Sequence, residues 1–157
     1  MTSQTADLTV RRSITVAAPP AKAFEVFTSG IDRWWPRGHH IDDSPLKREV
    51  IEPRAGGRCY GLSEDGTEAV WGRVLAWEPP GRFVFAWHLD GEWKYDPDPA
   101  HASEVEVRFL PAGGGTRVEL VHRHIERHGA TAAKVSAGVA SEGGWPGLLA
   151  EFAKLAA

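Results

Sequence analysis

The chain has 157 residues, 42% hydrophobic and 25% charged, with a formal net charge of -3. This is ordinary globular usage, enough for one domain with a sizeable core. It offers no cationic face for nucleic acid or an anionic membrane, and no apolar run approaches the ~20 residues of a membrane span.

In chain order, residues 1–7 read as a short polar tail without the apolar stretch of a secretion signal, and a single domain is expected over 8–157. Residues 8–17 alternate as a half-buried strand, with Leu8, Val10, Arg12, Ile14 and Val16 on one face. Pro19 and Pro20 stop it and open a helix carrying Ala23, Phe24 and Phe27 at helical spacing. Gly30 ends that helix, and residues 31–36 form a second short helix or turn. The stretch 37–45 is polar and loop-like.

Strands are then expected over 46–52, 58–62, 68–78, 82–89, 103–110 and 116–124. Asp65-Gly66 marks a hairpin. Residues 90–102, with three Asp and two Pro, read as a loop without calcium-loop spacing. The Gly/Ala/Ser-rich stretch 129–144 has no clear periodicity. Trp145-Pro146 then opens a final helix whose Leu148, Leu149, Phe152 and Leu155 form one stripe. Short turns make neighbouring strands antiparallel, and the last helix must bury its stripe on their sheet. A curved antiparallel sheet of six or seven strands gripping that helix is the economical arrangement. The space between them is a natural pocket.

Four segments resemble the SRPBCC (START-like) superfamily, and within it the bacterial proteins similar to the C-terminal domain of the activator of Hsp90 ATPase. They are Arg12-Ser13-Ile14-Thr15-Val16 with Ala18-Pro19-Pro20 and Ala23-Phe24; Glu52-Pro53-Arg54-Ala55-Gly56-Gly57-Arg58; Trp71-Gly72-Arg73-Val74-Leu75 with Glu78-Pro79-Pro80-Gly81-Arg82-Phe83 and Trp87; and Glu119-Leu120-Val121-His122-Arg123 with Gly144-Trp145. Their order and spacing carry the resemblance over about residues 10–156. It implies an α+β helix-grip fold (START-like, Bet v1-like) with a cavity under the last helix. It does not imply one activity.

Seven tryptophans exceed what a core of this size needs, and the surplus suggests a cavity wall or an interface. Candidate ligand contacts are Trp34 and Trp35 by the expected entrance, of which one should face inward. Phe85 and Trp87 follow from the aromatic stripe that Phe83 begins, and Trp71 from the neighbouring strand, where Trp71 and Trp77 compete with Gly72 and Val74 for the inner face. Val107, Phe109 and Leu120 supply adjoining apolar faces, and Trp145, Leu149 and Phe152 belong to the roofing helix. His122 lies in phase with Leu120 and is a candidate polar group for orienting a ligand. His88 has the opposite phase to its aromatic neighbours and should point outward.

No catalytic signature is present: no Gly-x-Ser-x-Gly, no nucleophile–base pair at known spacing, no phosphate-cradling glycine loop. His122 and Arg58 are the only side chains to name for acid–base work. A metal at His122 and His124, with His39 or His40, is disfavoured against plain polar residues at a strand end, so no metal or cofactor is expected. Cys59 is the only cysteine, which excludes an internal disulfide and agrees with a cytoplasmic setting; in a strand it reads as a small hydrophobe. The expected function is binding of a small hydrophobic or aromatic molecule. The alternatives are a cyclase- or hydrolase-like enzyme using the same cavity, and a protein-interaction module with the cavity packed shut. Open sheet edges would also allow a homodimer.

Overall fold

The computed structural model describes residues 8–36 and 44–157, so the polar tail and His39 and His40 lie outside the described residues. Strands β1 (Val10–Val16), β2 (Leu46–Ile51), β3 (Arg58–Ser63), β4 (Glu68–Glu78), β5 (Arg82–Trp87), β6 (Ser103–Ala112) and β7 (Gly115–Arg123) form, among the described residues, one seven-stranded antiparallel sheet. Its order is β1-β7-β6-β5-β4-β3-β2, so every neighbour except the β1–β7 pair follows directly in sequence. Helices α1 (Pro20–Phe27) and α2 (Ile31–Trp34) sit between β1 and β2, and α3 (Ala132–Ala140) and α4 (Trp145–Leu155) close the chain. The glycine- and alanine-rich stretch without clear periodicity therefore contains a helix: Ala132, Val135 and Val139 supply a narrow buried face.

Pro20 begins α1 because its fixed φ suits the first helical position. Ala23, Phe24, Val26 and Phe27 turn to the core, and the Trp34 indole ties α2 back to the Val26 carbonyl at 2.9 Å. α4 buries Trp145, Leu148, Leu149 and Phe152. Phe152 meets Phe27 and Trp34 edge-on, at 5.3 and 5.9 Å between ring centroids. The α3–α4 corner needs glycine at 144, where a Cβ would run into the Val139 carbonyl oxygen.

β4 departs from simple alternation. Cys59 pairs with Gly72 but Tyr60 with Val70, leaving Trp71 as an extra residue; Val74 pairs with Phe85 but Ala76 with Val84, leaving Leu75 extra. Each bulge shifts the phase of the strand. Trp71, Val74 and Trp77, which a strict period of two would split between faces, all join the core.

A buried polar chain runs through this core. The Trp145 indole N–H donates to His122 Nδ1 at 3.0 Å. Nδ1 is thus the acceptor, so Nε2–H donates to the Ser103 hydroxyl at 2.7 Å, and that hydroxyl donates to His128 Nε2 at 2.8 Å. Burial, with His128 adding to it, holds the His122 pKa down to about 3, so the ring is neutral. Outside, Glu106 bridges Arg82 (2.6 Å) and Arg123 (3.1 Å) across three strands. Burial opposes its ionisation, but the Arg82 hydrogen bond and the charges of Arg108, Arg123 and Arg82 outweigh it and hold its pKa below the usual range.

Two stability predictions follow from this packing. Phe152→Ala removes the ring that joins α4 to α1 and α2, and is expected to lower the unfolding free energy in urea by about 3–5 kcal/mol. For His122, the native ring resists a proton that the unfolded chain accepts near pH 6.5. Its contribution is complete above that pH and is lost progressively as pH falls toward 3. Between pH 7 and pH 5 it accounts for about 2 kcal/mol of lost stability. His122→Gln is expected to start lower at pH 7 but to lose about that much less over the same interval; parallel curves for the two proteins would refute the assignment.

Candidate functional site

A cavity of about 390 Å³ opens between the β2–β5 half of the sheet and the α3–α4 corner. Five of the seven tryptophans stand on its wall: Trp35, Trp71, Trp87, Trp93 and Trp145. Trp35 and Trp71 are stacked, 5.5 Å between centroids and 12° between planes. Trp87 meets Trp71 at 5.7 Å, Trp145 at 5.8 Å and Trp93 at 6.3 Å, all strongly inclined. The result is a continuous aromatic arc with mixed ring orientations, and such a surface offers both faces and edges to a flat partner.

Local geometry explains the arc. Trp35 leaves α2 in an extended conformation, which separates it from Trp34. Trp34 turns instead to Phe27 and Phe152. Trp71 is placed by its bulge, and Trp145 by the hydrogen bond to His122. Trp93 is half exposed and sits at φ 60°, an uncommon conformation for a bulky residue. Its loop is held there by the Asp90 carboxylate, which accepts from the backbone N–H groups of Glu92 and Lys94 at 2.8 and 3.1 Å. Its ring lies over Gly138 of α3. The acidic residues of the 90–98 loop are thus turn-forming groups, with Asp96 and Asp98 receiving backbone N–H groups in the same way.

Among the expected contacts, Trp35, Trp71, Trp87 and Trp145 reach the cavity. Trp34, Phe85, Val107, Phe109, Leu120, His122, Leu149 and Phe152 are buried but off its wall. Their shared reason is packing: Phe24, Phe27, Phe83 and Phe109 interlock edge-on at 5.2 to 6.5 Å and fill the space beside them. Leu148, one residue before Leu149, is the α4 leucine that reaches the wall. His122 has both ring nitrogens engaged within the protein, so its orienting task is toward Trp145. His124 has left β7, at φ 61°, and faces Glu126 at 3.6 Å, so the two histidines do not converge.

Arg58 lies away from the cavity, paired with Glu52 at 3.2 Å and Glu68 at 3.0 Å and lying over the Tyr60 ring. His88 does take the face opposite Trp87, but it is buried rather than outward: its Nδ1–H donates to the Asp96 carbonyl at 2.8 Å, under the 90–98 loop. Burial, with Glu49 and Glu52 nearby, pushes the Cys59 thiol up, which keeps it protonated and inert. Among the described residues there is no group of three or more His, Cys, Asp or Glu suited to a metal.

The charged group on the wall is one that strand alternation did not single out. Glu49 of β2 is 3% exposed and lines the cavity with Ser63 and Ser141. Its Oε1 accepts the Trp71 indole N–H, and its backbone N–H donates to the Asp32 carboxylate at 2.9 Å, filling an outward position on the edge strand. A Lys-Arg-Glu run in an edge strand reads as solvated, and only the tertiary fold turns its last member inward. The Trp87 indole N–H, also buried, has no hydrogen-bond partner among the described residues.

The description "Activator of Hsp90 ATPase homolog 1-like protein" fits residues 17–157 of the chain. A solved anthrahydroquino-γ-pyrone synthase, Txn09, is 44% identical, covering 94% of this chain and 96% of that one, with a TM-score of 0.66. The self-sacrificing resistance protein CalC from Micromonospora echinospora is 33% identical over 94% of this chain and 93% of its own, with a TM-score of 0.70. The Aha1 dimer from Colwellia psychrerythraea shares the fold at 13% identity, covering 94% and 95% of the two chains, with a TM-score of 0.63. No curated protein matches the sequence significantly. With its seven-stranded sheet wrapped on a C-terminal helix and its match from residue 17 to residue 157, the chain belongs to the Activator of Hsp90 ATPase homolog 1-like family.

Proposed function

We propose that the protein encloses a flat polycyclic aromatic molecule in the tryptophan-walled cavity and promotes ring closure on it. The carrying observation is the aromatic arc itself: Trp35 stacked on Trp71, continued by Trp87, Trp93 and Trp145 around about 390 Å³. Pockets of roughly 300–1,000 Å³ with apolar walls and few polar groups hold small ligands. Extended aromatic walls favour a partner with π faces of its own. The 44% identity to an anthrahydroquino-γ-pyrone synthase supports the chemistry, since that name describes a fused aromatic substrate gaining an oxygen ring. Such a closure asks the protein to hold the aromatic body still and to manage a proton leaving an oxygen. The cavity carries walls for the first task and a carboxylate for the second. The 33% identity to a resistance protein favours a second reading, capture of a similar aromatic compound without turnover.

Titration with 1,8-dihydroxyanthraquinone tests the shared first step. Saturable quenching of tryptophan emission at micromolar ligand is expected, because the probe would lie against several of the emitting rings. Trp71→Ala is expected to weaken binding at least tenfold, about 1.4 kcal/mol, whereas Leu110→Ala on the exposed outer edge should leave it within threefold. Absence of saturable quenching in the wild-type protein would reject the reading. Incubation with 2-acetoacetyl-1-hydroxyanthraquinone then separates the two uses: loss of one water, seen by mass spectrometry, marks ring closure, and recovery of unchanged compound marks capture.

A further inference from the structure

We propose that Glu49 is the group that selects and orients the ligand, by accepting a hydrogen bond from an aromatic hydroxyl; this rests on the aromatic-cavity reading above. The wall is otherwise almost wholly apolar, so one carboxylate on it discriminates strongly between ligands. Three observations bring Glu49 to that task. Its side chain belongs to the lining although the residue is only 3% exposed, so the carboxylate meets the cavity rather than bulk water. Its orientation is held from two sides, by the Trp71 indole N–H on Oε1 and by the Asp32 carboxylate on its backbone N–H. And β3 leaves room for it: a Cβ on Gly61 would stand 3.3 Å from Oε2 and 3.1 Å from Leu46, so glycine there keeps the carboxylate on the wall.

The chemistry follows from what a carboxylate can do. An ionised carboxylate only accepts hydrogen bonds, at about four lone-pair sites, and Trp71 takes one. Bonds to a charged acceptor are about twice as strong as neutral ones, and stronger in a water-poor site. A hydroxyl on a ring stacked against the Trp35–Trp71 pair would present an O–H donor beside Trp71, where Oε1 is anchored. An ether oxygen in the same place would meet the carboxylate lone pair against lone pair. The cavity should therefore prefer polycyclic phenols over their methyl ethers. In a ring-closing reaction this hydroxyl is also the oxygen whose proton must leave, so the bond that selects the ligand aligns the reacting group.

The test compares 2-hydroxyanthracene with 2-methoxyanthracene, by fluorescence titration at pH 7, on the wild-type protein and on Glu49→Gln. The wild-type protein is expected to bind the hydroxyl compound at least tenfold more tightly. Glutamine keeps an oxygen for the Trp71 N–H but replaces the other with an N–H donor, which hydroxyl and ether oxygens both accept. The preference should then fall below threefold, with circular dichroism confirming the fold. Equal affinities in the wild-type protein would overturn the proposal without recourse to any variant, and so would an undiminished preference in Glu49→Gln. Binding of neither probe to the wild-type protein would instead reject the aromatic-cavity reading, and this proposal with it.

Discussion

The hydrogen bond from the Trp145 indole to His122 is the constraint on which the arrangement of the interior depends. Trp145 is the first residue of α4, so whatever fixes its ring fixes the entry of the helix that closes the sheet. The ring is fully buried, and a buried indole N–H without a partner costs roughly 1–3 kcal/mol. His122 supplies the acceptor only while it is neutral and in one tautomer. Ser103 enforces that tautomer by taking the Nε2–H and passing its own hydrogen to His128. A chain of four side chains from α4, β7, β6 and the segment after β7 is thereby oriented end to end.

That placement divides the space under α4 into two unequal uses. Toward α1, the rings of Phe24, Phe27, Phe83, Phe109 and Phe152 meet edge-on and leave no room. Toward α3, the lining changes to tryptophan on the sheet side and to glycine, serine and valine on the helix side. Gly138, Gly143 and Gly144 present little side chain opposite the tryptophans, so volume that a leucine would fill stays open. The cavity is thus the product of composition along the α3–α4 corner as much as of sheet curvature.

Much of this was legible from the sequence, and the failures have definite causes. The strands and α4 show their periods plainly, because each is half buried and one face must be apolar. α3 was missed because alanine and glycine supply helix-compatible positions with hardly any hydrophobic contrast. The candidate aromatic residues were read as one set, since burial and cavity lining demand the same residue types. Phe85, Phe109 and Phe152 answer to the first and Trp71, Trp87 and Trp145 to both, and only neighbouring rings decide which. The two bulges in β4 carry no signature that alternation reveals, yet they put Trp71 on the wall. His122 was singled out as the polar group of the cavity because its phase is inward, which holds; its partners are within the protein, and the open polar position belongs to Glu49.

Glu49 is therefore the residue whose presence asks most for explanation. A carboxylate in an aromatic wall gives up hydration that neither Trp71 nor the peptide edge restores in kind. An uncharged side chain of similar size would satisfy the Trp71 N–H as well and would remove that penalty. Nor is the carboxylate needed to hold β2, whose contact with Asp32 is made by the backbone. Buried charge kept beside open volume, and accommodated by a glycine on the next strand, is the pattern expected where stability has been exchanged for a site. The same logic separates the two polar groups of this interior. His122 spends both nitrogens on the protein and organises it, whereas Glu49 is held by the protein and turned to what enters.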